Sequence, residues 1–185
     1  MSAANLAVGV GFGLLGLAGG LGVGGLGLSP SRLRAGACYG LAVLGVIAAG
    51  LAAAAAMPAT RGFLADPRVH VSAGQMLLTV LVTIPLGTVV LEELAFRGTL
   101  LGLLRTQMST TWAVAVCSVA FGLWHVSGVW SRGAGVIVGT VAATTVAGVG
   151  FAWLRLRSDS LLAPALAHVA TNSVAFAAAW VVWRR

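Results

Sequence analysis

The sequence predicts an all-α protein, a polytopic membrane bundle of about six transmembrane helices in one domain. Three observations carry this. The 185 residues are 59% hydrophobic and 8% charged, with a mean hydropathy of +1.01, more apolar surface than a soluble domain needs. The apolar residues fall into six runs, roughly 5–28, 36–57, 74–104, 110–129, 133–154 and 161–183. Each is long enough to cross ~30 Å of hydrocarbon at about 1.5 Å per residue. All 11 basic residues are arginine and fall mostly between those runs, where they anchor helix ends against anionic lipid.

The first run, Asn5 to Leu28, has no basic stretch before it and is too long for a signal-peptide core, so it is expected to remain as a helix. It contains G-x-G-x-x-G at Gly11, Gly13 and Gly16, but no strand precedes it, which argues against a dinucleotide site. Its G-x-x-x-G pairs, Gly16/Gly20 and Gly20/Gly24, suit close helix packing within the protein or in a dimer. Between the second and third runs, Ala59–Ser72 is a polar loop holding Arg61, Asp66, Arg68 and His70. The third run, about 31 residues or ~46 Å as a straight helix, must tilt, protrude or bend, and Pro85 marks a kink. Trp112, Trp124, Trp130, Trp153, Trp180 and Trp183 lie mostly near span ends, as an aromatic belt does. Trp124, next to His125, is instead a candidate lining residue.

Cys38 and Cys117 sit inside apolar runs and read as packing residues, neither a disulfide nor a metal signature. The net charge of +7 has no basic stripe interleaved with aromatics, so the partner is lipid and no nucleic acid is expected. Five arginines fall on each side of a six-span layout, so orientation is not set by charge. Exclusive use of arginine in an Ala/Gly/Val-rich chain suggests a bacterial gene, and a multi-pass location in the cell membrane.

Three polar constellations interrupt the apolar runs. The chain's only glutamates, Glu92 and Glu93, are adjacent and are followed by Arg97. A carboxylate near the bilayer centre costs roughly 2.5–3.5 kcal/mol even on the gentler scales, so an intramembrane acid marks a functional site by default. Glu93 and Arg97, four apart, share a helix face and can neutralise each other. Glu92, about 100° away on an α-helix, is left to point elsewhere, and the two acids are not expected to face one site. The second constellation is Phe121-x-x-x-His125 and the third His168-x-x-x-Asn172, each pair on one helix face. Either alone fits interhelical packing. Counted from the side of Arg105 and Arg157, Glu92, His125 and His168 lie roughly 20, 22 and 12 Å deep, so one cavity can hold them.

In this order and spacing, E-E-x-x-x-R, F-x-x-x-H and H-x-x-x-N resemble the CPBP (Abi/CaaX protease) family of intramembrane glutamic endopeptidases, which includes the Ras-converting CaaX endopeptidase. The flanks are similar too: Phe96 before Arg97, Ser118 and Gly122 around Phe121, and Ser160–Leu161 upstream of His168. The resemblance covers about residues 85–180. It implies hydrolysis of a peptide bond by an activated water without an acyl-enzyme. The substrate would be a membrane-associated peptide or a protein carrying a prenyl group or C-terminal signal. It casts Glu92 as general base, His125 as holding the water, His168 and Asn172 as oxyanion donors, and Glu93, Arg97 and Phe121 as support. No cofactor is implied, and the glutamate mechanism is preferred. A zinc variant with Glu92, His125 and His168 as ligands is the alternative, although H-E-x-x-H is absent. Two other classes compete: a non-catalytic immunity or partner-binding protein of the same fold, and a proton-coupled carrier, since buried Glu and His also build relays. No pair of matched broken helices supports transport.

Overall fold

The computed structural model describes residues 2–185. It is helical, with no strand among the described residues. Six helices follow in order: α1, Ser2–Ala18; α2, Pro30–Ala56; α3, Ala73–Gln107; α4, Thr110–Gly128; α5, Ala134–Ser158; and α6, Leu162–Trp183. The last five are long and apolar enough to cross a membrane. The all-α polytopic bundle is therefore the observed fold.

The first segment departs from expectation. The run 5–28 is not one spanning helix. Gly20 takes φ +89°, a conformation that costs a side-chain-bearing residue but not glycine, and α1 stops at Ala18. The chain then turns back under itself and buries Leu21 and Leu26. α1 runs alongside the second half of α3. Asn5 Nδ2 donates to the Gly87 carbonyl at 2.8 Å, and Thr99 Oγ1 donates to the Phe12 carbonyl at 2.7 Å. Gly9 and Gly16, seven apart on one face, are pressed against α3 at Leu91 and Thr99, and Gly19, just past the end of α1, is pressed against it at Leu103. The G-x-x-x-G pairs do not serve this contact, because Gly20 ends the helix and Gly24 lies beyond it.

The glycine turn is pinned by Arg155. Expected at a membrane surface, this side chain is 2% exposed. Its Nη2 donates to the carbonyls of Gly24 and Gly25 at 3.2 and 2.9 Å, and its Nη1 pairs with Asp159 at 3.2 Å. The Gly27 carbonyl accepts from the Leu161 amide at 2.8 Å. Gly27 has φ +78° and its α-carbon faces the Arg155 guanidinium, so a methyl group has no room there. Gly27→Ala should destabilise by more than the roughly 1–2 kcal/mol of a left-handed alanine, whereas Gly20→Ala, with open space around it, should lose only that backbone cost. Thermal unfolding of both variants in detergent checks the difference; equal melting temperatures would remove Arg155 from the explanation.

α3 meets Pro85 by widening rather than by breaking. It is π-helical over Thr79–Thr83, Pro85–Val89 and again Glu93–Leu100. A π-turn bonds i to i+5, one residue more than an α-turn, and tends to occur at functional sites. α6 has one as well, Ala170–Val174. α4 and α5 approach most closely where Gly122 faces the Val141 carbonyl and Thr145, and Gly148 faces Ser118. Small residues allow that approach. The core between them holds Phe96, Cys117, Phe121, Phe151 and Ala167.

Candidate active site

Two of the π-turns carry the polar motifs. The first begins at Glu93 and contains Arg97; the second contains Asn172. Because successive side chains diverge less on a widened turn, Glu92 and Glu93 reach the same imidazole, contrary to expectation. His168 Nδ1 lies 2.8 Å from Glu93 Oε1, and its Nε2 lies 3.7 Å from Glu92 Oε2. A carboxylate oxygen only accepts, so Nδ1 carries the proton and donates it to Glu93. On the neutral ring Nε2 is then an acceptor, and Asn172 Nδ2 sits 3.2 Å from it.

Glu93 also accepts from Arg97 Nη1 at 3.3 Å, so it serves two partners and not the arginine alone. Glu93 is 1% exposed and Arg97 0%. The guanidinium carbon lies 3.9 Å from the centre of the Phe121 ring, a cation–π contact that gives Phe121 its place in the motif. His168 is in turn stacked on Phe151, centroids 5.0 Å apart and planes 23° from parallel.

Glu92 faces the other way along the cluster. Trp124 Nε1–H donates to its Oε1 at 3.1 Å, while Oε2 is buried with no hydrogen-bond partner. His125 stands at the end of the α-helical part of α4, where the chain tightens into a 3₁₀ turn. Its Nδ1–H donates to the Phe121 carbonyl at 2.8 Å, which leaves Nε2 as the acceptor. Glu92, His125 and Asn172 line one cavity of about 560 Å³, with Thr144 and Thr171. His168 stays behind this wall, reaching the site through Asn172 and Glu92. Ser158 and Ser160, just before α6, are themselves buried.

The polar loop also lines the cavity, through Phe63, Asp66 and Arg68, together with Phe176 and Ala179 of α6. The loop is docked by Trp180 Nε1–H, which donates to the Val71 carbonyl at 3.0 Å, and by His70 stacked on Trp183. Arg68 Nη2 pairs with Asp66 Oδ2 at 2.6 Å, and the guanidinium hydrogen bond holds the Asp66 carboxyl below the usual carboxylate range.

A known family has this motif-bearing region. The description Type II CAAX prenyl endopeptidase Rce1-like matches residues 74–174, more than half of the chain. The chain belongs to this Rce1-like family. That membership makes the chain a membrane protease at the level of the family, with a peptide or prenylated protein as its general kind of substrate. No curated protein and no solved structure matches the chain.

The Rce1-like match spans all three motifs and excludes α1 and α2. Among the described residues, no three His, Cys, Asp or Glu side chains take an arrangement able to hold a metal ion. Of Glu92, His125 and His168, the zinc set considered from sequence, the first two line the cavity, while His168 has Glu93 and Asn172 at its two nitrogens. Two residues of the candidate site make contacts that the sequence did not signal. Phe151 is an ordinary apolar residue of α5, and only the fold lays it on His168. Trp124 was marked by its position beside His125, but its bond to Glu92 follows from the packing of α4 on α3.

Proposed function

We propose that this Rce1-like protein cleaves a peptide bond with a water activated by Glu92, without a metal. One observation supports it most: Glu92, His125 and Asn172 face a common polar cavity inside an otherwise apolar bundle. The water would sit between the Glu92 carboxylate and the free Nε2 of His125. As it attacks the carbonyl carbon, its proton passes to Glu92. The oxyanion of the tetrahedral intermediate takes a hydrogen bond from the Asn172 amide, and His168 acts through that amide, whose nitrogen lies 3.2 Å from its Nε2. Such preorganised donors in a dry site are typically worth a few kcal/mol each. The carbon–nitrogen bond then breaks, and the leaving amine takes the proton from Glu92. Glu93, Arg97, Phe121 and Phe151 hold His168 in place. Membrane-associated peptides and prenylated or C-terminal-signal proteins are the substrates proposed, entering at the mouth between the 59–72 loop and α6.

The test is hydrolysis of prenylated and unprenylated CaaX-type peptides by the purified protein in detergent. The prenylated peptide should be cut, and a strong chelator should leave the rate within about twofold, because no zinc-activated water is needed. Activity lost to the chelator and restored by Zn²⁺ would replace the glutamate mechanism with the metal one.

A further inference from the structure

We infer that Trp124 is the positioning residue of the Glu92 carboxylate: its indole N–H anchors Oε1 and thereby turns Oε2 toward His168 and the site. The catalytic half of this inference rests on the function proposed above. The contact itself rests on geometry. Trp124 Nε1–H to Oε1, at 3.1 Å, is the hydrogen bond that Glu92 makes, and Oε2 makes none. Glu93, the neighbouring acid, is already committed to Arg97 and His168, so nothing from its own helix orients Glu92.

Tryptophan suits this task chemically. The indole has one donor and no acceptor, so it binds a carboxylate oxygen without competing for the water's proton. The ring is itself held. Phe96 meets it edge-on with centroids 5.9 Å apart, and Phe96 in turn meets Phe121 at 5.2 Å. Phe121 carries the Arg97 guanidinium and the His125 ring. A chain of aromatic contacts thus ties the anchor of Glu92 to the support of His168. Trp124 is 47% exposed, approaching Glu92 from the rim of the bundle, while its neighbour His125 faces the cavity. Two consecutive residues at the end of one helix therefore grip the acid and face its water.

The experiment replaces Trp124 with 3-benzothienylalanine, an isostere with sulfur in place of the N–H, alongside Trp124→Phe. Glu92 and Glu93 are the only glutamates, so protein labelled with ¹³C-glutamate gives two side-chain carboxylate resonances, and the one missing in Glu92→Gln belongs to Glu92. The isostere should move the Glu92 resonance, leave that of Glu93 in place and keep the melting temperature. It should lower kcat by roughly 10–100-fold, the scale of a misplaced reacting group, with little change in KM. A stationary Glu92 resonance, or full kcat in the isostere, overturns the inference. Loss of kcat in Trp124→Phe alone, with the isostere fully active, assigns Trp124 to packing and also overturns it. If the wild type cleaves no peptide but the Glu92 resonance still moves in the isostere, the endopeptidase reading falls and the anchor stands.

Discussion

Glu92→Gln is expected to abolish peptide cleavage while leaving the fold intact. A general base contributes typically 10²–10⁴-fold, and in the proposed mechanism this one also carries the proton to the leaving amine, so kcat/KM should fall by roughly 10³-fold or more. The amide is nearly the same shape as the acid. Its oxygen can still accept from Trp124, as Glu92 Oε1 does at 3.1 Å. The other carboxylate oxygen has no partner to lose, and the substitution removes a charge from an apolar bundle, where charge is costly. The melting temperature should therefore stay the same or rise. Loss of cleavage with an unchanged melting curve separates a chemical role from a structural one. A Glu92→Gln protein that cleaves at the wild-type rate would remove Glu92 from the mechanism, and with it the proton path described for the leaving amine.

The largest effect on stability is expected from Arg97→Ala. Arg97 is fully buried, pairs with Glu93 at 3.3 Å and lies over Phe121. Removing one partner of a buried ion pair typically costs about 3–5 kcal/mol, because the other charge is left uncompensated. Here that charge is Glu93, which then depends on His168 alone. Arg97→Lys should recover only part of the loss, since an ammonium lacks the planar face that stacks on Phe121. The double variant Arg97→Met, Glu93→Gln should recover more stability than Arg97→Lys, because no charge remains buried. It should stay inactive, because the amide oxygen left in place of the carboxylate holds the His168 N–H more weakly. Unfolding in mixed micelles gives the stabilities and peptide cleavage the activities. An Arg97→Ala protein as stable as wild type would show that Glu93 is not charged in the folded protein.

Much of the candidate site was legible in the sequence because its polar pairs rest on local spacing. Glu93–Arg97, Phe121–His125 and His168–Asn172 are each four apart, and each pair makes a direct contact in the fold. What escaped was whatever depends on helical phase or burial. Glu92 and Glu93 converge on His168 because the helix widens at Glu93, and hydrophobic periodicity gives no sign of a π-turn. Arg155 reads as a surface anchor until the glycine turn is seen folded over it. The first run reads as a span because leucine and glycine are apolar both as helix and as buried turn. Family membership covers residues 74–174, so α1 and its turn were open to reading from composition alone, where such ambiguity is greatest.

The Glu93–Arg97 pair lies within a single helix, and this bears on how the protein is made. When α3 first enters lipid, the two opposite charges travel together and offset each other before any later segment exists. Glu92 has no such companion. It remains uncompensated until α4 delivers Trp124, and the histidine on α6 follows later still. Enclosure of Glu92 by its partners is therefore a late event in biogenesis, and a chain stalled before α6 would hold the acids without the imidazole that joins them.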